Sequence, residues 1–263
     1  MTSAQTRFPR YHISTRLAVK IAASLVAGKR RSFKEDAHTA AAGIEHLQVR
    51  GEIPTSDSFE NGCLVTVNHY HRAGFQAYWI AFAISAVFPY DLQWGMTSAY
   101  TYPDPMRTLL VTPRFSVLLN RIASIYGFTA MPPMPPRSAD LTERSLAVRD
   151  LVRYARSTTR PMIGFAPEGM DMPGGVLASL PPGAGRLAAY LCSLGMAVQP
   201  VGVYEEDGCL VLSFGEPYRL PGMDLASPQE VDAAAARRLT EEIAKCLPER
   251  LSPPREISTN AGG

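Results

Sequence analysis

The sequence predicts an α/β fold built on a mixed, mostly parallel sheet that helices cover. Strand-like and helix-like segments alternate between residues 60 and 215, which is typical of strand–helix–strand units. Two short apolar segments, residues 64–67 and 161–166, end abruptly in polar residues, as buried strands do. The 263 residues are enough to bury one large core. We expect a basic amphipathic helical segment over residues 1–44, an α/β domain over 45–251 and a flexible tail over 252–263.

Each element follows from local patterns taken in chain order. Apolar residues at helical spacing predict the helices, and short β-branched or apolar runs between turn residues predict the strands. Ser227 followed by Pro228 is a typical start of the last helix. The predicted helices cover residues 17–28, 35–48, 73–87, 114–126, 141–157, 183–193 and 229–247. The predicted strands cover residues 47–51, 64–67, 92–97, 161–166, 196–204 and 209–214.

Turns and connectors separate these elements. Prolines enforce a turn at residues 100–105, and the proline-rich residues 131–137 predict a stiff extended connector inside the domain. Glu205 to Gly208 predicts an acidic turn between the last two strands.

Composition excludes several classes of protein. A net charge of +2 gives no basis for a nucleic-acid partner. The four cysteines lack any C-x-x-C spacing, so we expect neither a metal site nor disulfides, and buried thiols fit a reducing compartment. The apolar segments are too short to span a bilayer, so we expect a cytoplasmic protein that is soluble or peripheral to the membrane.

The first 34 residues contain eight Arg and Lys residues and no acidic residue. Leu17, Ile21, Leu25 and Val26 recur at helical spacing, which predicts a basic amphipathic helix able to lie on an anionic lipid surface. The same pattern fits a helix that packs on its own domain and exposes basic flanks.

Two histidines follow the strand at residues 64–67. Open α/β sheets place their sites at the carboxyl ends of strands, and imidazole exchanges protons near neutral pH. His69 is therefore a candidate general base. Alternatively, His69 and His71 cap the strand and bond to backbone.

Five segments in order resemble the glycerolipid acyltransferase family, which includes lysophosphatidate and glycerol-3-phosphate acyltransferases. The resemblance covers about residues 45–250, and its blocks are residues 67–69, 165–169, 182–188, 199–203 and 214–217. It implies transfer of a fatty acyl group from acyl-coenzyme A or acyl-carrier protein to a lipid or small-molecule acceptor in phospholipid biosynthesis, without a cofactor. His69 aligns with the family base, which removes the proton of the acceptor.

The sequence departs from the family pattern at the base. The family's H-x-x-x-x-D motif ends here in Gly74, so the Asp that holds the imidazole is absent. Glu168 is our first candidate to replace it, ahead of Asp171, Asp91 and Asp104. The predicted catalytic pair is therefore His69 and Glu168. The predicted substrate-binding residues are Asn68, His71, Gly74, Gly169, Asp171 and Arg186.

A second departure concerns the acceptor. The family's phosphate-binding Arg residues are missing, since Met170 and Asp171 follow Gly169, and no Arg follows Phe128 at the expected spacing. An Asp at such a position repels a phosphate. Unless Arg137 or Arg186 compensates, we expect a hydroxyl- or amine-bearing acceptor without a phosphate.

Three functions remain open from the sequence. The first is a peripheral-membrane acyltransferase, and the second is a degenerate relative that binds acyl chains or lipid without turnover. The third is a thioester hydrolase that uses water at the same His. No G-x-S-x-G segment is present, which counts against a serine esterase.

Overall fold

The computed structural model describes residues 7–55, 59–99, 112–133, 140–170, 172–220 and 227–252. The helices are α1 (Thr15–Ala27), α2 (Phe33–Ala41), α3 (Tyr78–Val87), α4 (Thr112–Tyr126), α5 (Leu141–Ser157), α6 (Ala184–Ser193) and α7 (Pro228–Lys245). The strands are β1 (Leu47–Arg50), β2 (Cys63–Val67), β3 (Gln93–Thr97), β4 (Thr129–Met131), β5 (Met162–Phe165), β6 (Ala197–Glu206) and β7 (Cys209–Phe214). Short 3-10 turns lie at Pro173–Gly175 and Glu249–Leu251.

The strands form one seven-stranded sheet with the order β1-β7-β6-β2-β5-β3-β4. Every neighbouring pair is parallel except the β6–β7 hairpin. Strand β2 lies at the centre, and all five of its residues are buried, as an apolar strand covered on both faces requires. The predicted α/β fold class is confirmed.

Helices cover both faces of the sheet. On one face, α1, α2 and α3 pack with β2, β6 and β7 around Val65, Val67 and Phe82. On the other, α5, α6 and α7 enclose Leu64, Leu151 and Leu239. Because successive strand residues point to opposite faces, the neighbours Leu64 and Val65 belong to different layers of core.

Several element boundaries differ from those predicted. Helix α3 begins at Tyr78 rather than residue 73, because residues 68–77 form a loop fixed by contacts described below. Strand β6 extends to Glu206, so the predicted acidic turn shrinks to Asp207 and Gly208, both with positive φ. Strand β4 was not predicted, and Met131 belongs to it rather than to the connector. Residues 134–137 of that connector, like the tail from 253, lie outside the described residues.

Helix α1 is capped by the Ser14 hydroxyl, which accepts from the backbone N–H of Leu17, and ends at Gly28 in the left-handed region. Leu17 is buried, Ile21 packs partly against the core, and Leu25 is half-buried. The periodic apolar face therefore points inward, whereas Val26 is 85% exposed. None of the helices in the described ranges combines the length and hydropathy needed to cross a bilayer.

Candidate active site

The site begins where β2 ends, at the carboxyl edge of the parallel strands. Asn68 is buried there, and its side-chain amide takes the place of a strand residue. Its Nδ2 donates to the carbonyl of Val203 at 2.9 Å, and its Oδ1 accepts from the Val203 N–H at 2.7 Å. The side chain thus prolongs the β2–β6 ladder by one step. In the structure, this predicted substrate-binding residue holds the strand end.

The structure brings the Glu168 carboxylate to the main chain of His69. Because β2 and β5 are neighbours, with Thr66 beside Phe165, their ends meet. Glu168 is 2% exposed. Its Oε2 accepts from the backbone N–H of His69 at 2.9 Å, and its Oε1 accepts from the N–H of Ala178 at 3.2 Å. Glu168 therefore fixes the main chain at His69, and its predicted action on the imidazole stays a prediction.

The loop after His69 is held by a second buried carboxylate, Glu205 of β6. Arg72 donates to it twice, through Nε to Oε2 and through Nη2 to Oε1, the latter at 2.8 Å. The hydroxyl of Tyr70 donates to Oε2 at 3.1 Å, and that of Tyr11 donates to Oε1 at 2.5 Å. The Glu205 side chain is only 1% exposed, so these donors satisfy a charge that would otherwise be costly to bury.

Gly74 and His71 lie on the outer part of this loop. Gly74 is exposed and has φ of +82°, a conformation that glycine adopts at little cost. A Cβ built there would lie 3.5 Å from Nη1 of Arg72, and no other atom would lie within 4 Å. A carboxylate at residue 74 would thus start beside a guanidinium. His71 is half-buried, and its carbonyl faces Gly175 of the loop after β5.

The remaining predicted site residues lie on the β5 side. Gly169 is exposed with φ of +68° and closes a turn on the Ala166 carbonyl. Asp171 lies outside the described residues. The side chain of Arg186 is exposed on the first turn of α6, while its backbone N–H donates to Asp232.

Asp232 of α7 occupies the amino terminus of α6. Its two carboxylate oxygens accept from the N–H groups of Gly183 and Arg186 at 2.7 and 2.8 Å. Helix amino termini bind anions readily. Here an internal carboxylate takes that place, so α6 offers these two N–H groups to its neighbouring helix rather than to a substrate.

The electrostatics of the edge are set by paired charges. Burial, followed by Glu205, raises the pKa of the Tyr11 and Tyr70 hydroxyls, which keeps both as hydrogen-bond donors. Hydrogen bonds from Arg50 and Arg250 lower the pKa of Glu206. Within the described ranges, no three His, Cys, Asp or Glu side chains are grouped as a metal site requires.

Sequence reasoning missed Glu205, Arg72 and Tyr11 as residues of this site. The available signal was the Asp207–Gly208 pair, which is itself a two-residue hairpin turn and would have placed Glu205 inside a strand.

Two surface grooves lie away from His69. One, of about 440 Å³, is lined by Arg149, Arg153, Arg156 and Tyr190, and the other, of about 250 Å³, lies between α1 and α4.

The sequence matches no protein-family model and no curated protein. Among solved structures, the chain is similar to the 1-acyl-sn-glycerophosphate (LPA) acyltransferase PlsC from Thermotoga maritima. The TM-score is 0.43 and the sequence identity 15%, over 87% of this chain and 83% of that one. A likeness at this level assigns no activity to the chain.

Proposed function

We propose that this protein is an acyltransferase that moves a fatty acyl group from an acyl thioester to a hydroxyl- or amine-bearing acceptor at a membrane surface. The observation that carries the proposal is the placement of His69, which follows the central strand with its backbone fixed by the buried carboxylate of Glu168. The donor is acyl-coenzyme A or acyl-carrier protein, and no cofactor takes part.

His69 acts as the general base. An alcohol or amine that attacks a thioester must lose a proton, and a positioned imidazole is a side chain suited to accept it near neutral pH. The ordered segments that resemble the glycerolipid acyltransferases support this role for His69, as does its half-buried position at the strand edge. Glu168 supports the base by holding its main chain.

The acceptor lacks a phosphate. In the segments that would bear phosphate-binding Arg residues, residues 128–131 contain none, and Met170 and Asp171 follow Gly169. At the start of α6, the N–H groups of Gly183 and Arg186 donate to the Asp232 carboxylate, which takes the place that an anionic acceptor would occupy. An uncharged or amine-bearing lipid fits these features better than a phosphorylated glycerol.

Helices α1 and α4 support contact with an anionic membrane. Neither contains an acidic residue, and Arg16, Lys20 and Arg121 are exposed on them. Val26 of α1 and Val117 of α4 are 85% and 58% exposed. Exposed apolar side chains beside basic ones are typical of helices that lie at a lipid interface.

The carboxyl-terminal ends of the two helices lie next to each other. The N–H of Arg31, just after α1, donates to the carbonyl of Ile125 in α4. Helix α4 lies between the parallel strands β3 and β4 in the chain.

A second candidate is an acyl-chain- or lipid-binding protein without turnover. The observation in its favour is Gly74, which replaces the family's imidazole-holding Asp and leaves no carboxylate at that position. Loss of such a carboxylate in a hydrolytic triad lowers the rate by about 10⁴-fold.

One assay separates these functions. Purified protein is mixed with acyl-coenzyme A or acyl-carrier protein, with and without a neutral and amine-bearing lipid fraction, and both free thiol and acylated lipid are measured. The proposal expects thiol release that requires the lipid and equals the product formed. Thiol release without lipid would identify a hydrolase, and stoichiometric acyl binding without release would identify the binder.

A further inference from the structure

The buried carboxylate of Glu205 is joined to three segments that lie far apart in sequence. It belongs to β6, it accepts from Arg72 and Tyr70 of the loop after His69, and it accepts from Tyr11 ahead of α1. We define these four residues as the Glu205 cluster. All three donors bond to the two oxygen atoms of one carboxylate. Removing any one of them therefore changes the contacts that hold the loop after His69.

The amino-terminal segment contributes packing as well as a hydrogen bond. The Tyr11 ring lies edge-on to Phe75 with centroids 5.5 Å apart, and Phe75 in turn contacts Tyr70 at 5.1 Å. The Phe8 ring lies 4.3 Å from the guanidinium carbon of Arg72, within the range of a cation–π contact. The segment before α1 therefore packs on the loop after His69, at Arg72 and Phe75.

We propose that the Glu205 cluster positions His69, so that Tyr11, Arg72 and Glu205 are positioning residues of the site. The inference rests on the proposed function, in which His69 accepts a proton. In the related family one Asp holds the imidazole, whereas Gly74 offers no side chain here. Glu168 holds the His69 N–H, and Glu205 holds the side chains of Tyr70 and Arg72 that follow it in the chain.

Stability alone is a weak reason for such a cluster. Replacing a buried ion pair by apolar residues is often neutral or stabilising, since burying charges costs about as much as their pairing returns. A geometric role accounts for the placement: the donors come from the loop that bears His69 and from the segment that packs on it. The same arrangement makes the amino-terminal segment a part of the active site rather than only a membrane contact.

The chain contains a matched control cluster outside the site. Arg31 donates through Nε and Nη2 to the buried Asp36 at 2.6 and 2.5 Å, and the Tyr126 hydroxyl donates to Asp36 at 2.8 Å. This cluster repeats the chemistry of Arg72, Glu205 and Tyr11 and joins α2 to α4. Tyr126→Phe and Asp36→Asn remove the same groups as Tyr11→Phe and Glu205→Gln.

The experiment compares these four variants by histidine NMR and by acyl transfer. The five His rings are labelled with ¹⁵N, and His69 is assigned through His69→Gln. We expect Tyr11→Phe and Glu205→Gln to displace the His69 ring resonances and to lower kcat about tenfold or more with little change in KM, because small misplacements of reacting groups cost on the order of 100-fold. Tyr126→Phe and Asp36→Asn should leave both readouts unchanged, although they remove comparable hydrogen bonds.

The two readouts separate this inference from the proposed function. If wild-type protein transfers no acyl group, the proposed function fails, and displacement of the His69 resonances still decides whether the cluster positions the ring. Unchanged His69 resonances in Tyr11→Phe, or equal effects in the Asp36 pair, would overturn the inference. If Glu205→Gln does not fold, Tyr11→Phe alone decides, since it keeps the ring and removes one hydroxyl.

Discussion

At the scale of single residues, the site is defined by what each carboxylate contacts. Glu168 was predicted from the sequence to approach His69, and the structure places its oxygen on the His69 main chain. That the two strand ends meet follows from their parallel pairing. The contact of this oxygen with the His69 N–H depends on tertiary packing, which no local pattern encodes.

Placing a carboxylate at residue 74 tests how this loop works. Because a Cβ there lies beside Nη1 of Arg72, we expect the carboxylate of Gly74→Asp to pair with Arg72 and compete with Glu205. The variant should not gain acyl-transfer rate, and its free energy of unfolding should fall by about 1 kcal/mol because φ is positive. Chemical denaturation and the transfer assay measure both effects.

Gly74→Asn serves as the control for that variant, since it keeps the shape without the charge. It should lose similar stability and keep more activity than Gly74→Asp. A large gain in rate in Gly74→Asp alone would show that the new carboxylate reaches His69.

Buried thiols make the fold sensitive to alkaline pH. Burial raises the pKa of Cys246, which follows α7, to about 11 from an ordinary value of 9.0. Below pH 9 the thiol is protonated in both the folded and the unfolded chain, so its contribution to the free energy of unfolding is fully present. Between pH 9 and 11 the unfolded chain releases the proton first, and the free energy of unfolding should fall by about 1.4 kcal/mol per pH unit for this thiol.

Urea unfolding at several values between pH 8 and 11 measures that slope. Cys246→Ala should make the slope of the free energy of unfolding against pH shallower by about 1.4 kcal/mol per pH unit, the contribution of one proton. Cys209→Ala, at a partly exposed thiol on β7, should leave the slope unchanged. An identical slope in wild type and Cys246→Ala would contradict the assignment to this group.

At the scale of elements, long periodic segments were predictable and short or polar ones were not. Helix α5 has the predicted bounds, because its apolar spacing continues over 17 residues. Strand β4 has three residues, too few to show alternation. Glu205 was predicted to lie in the acidic turn at residues 205–208, whereas its pairing with Arg72 and two tyrosine hydroxyls makes a buried strand position tolerable.

Contact between α6 and α7 depends on Asp232. We expect Asp232→Ala to lower the free energy of unfolding by about 1–2 kcal/mol, because the N–H groups of Gly183 and Arg186 lose their acceptor. Asp232→Asn, which keeps one side-chain acceptor, should lose less. Glu241→Ala, at an exposed position of α7, is the control, and an equal loss there would argue against a specific cap.

At the scale of the whole molecule, α1 and α4 combine exposed basic and exposed apolar side chains and contain no acidic residue. The sequence predicted the amphipathic character of α1 and left open whether its apolar residues face lipid or the domain. In the structure Leu17 and Ile21 pack inward, whereas Val26 is exposed. Which side of a helix faces its own domain depends on its neighbours, so the exposed residues Val19 and Val26 are known only from the structure.

Vesicle flotation tests this surface. We expect binding to phosphatidylglycerol-containing vesicles but little to phosphatidylcholine alone, and weaker binding at high salt. Val26→Glu and Leu118→Glu should each lower the bound fraction about tenfold, since burying one such side chain is worth about 1.5–3 kcal/mol. Leu146→Glu, at an exposed position of α5 on the opposite face, is the control. A similar effect of Leu146→Glu would count against the α1–α4 surface.

The central claim is that the imidazole of His69 accepts the proton of the acceptor, and the most direct measurement is the acyl-transfer rate of His69→Gln beside that of His71→Gln. We predict that His69→Gln lowers kcat by about 10²–10⁴-fold, the usual contribution of a general base. His71→Gln should keep most of kcat, and any loss of activity should come from a higher KM. Full activity in His69→Gln, or loss of kcat in His71→Gln alone, would contradict the account.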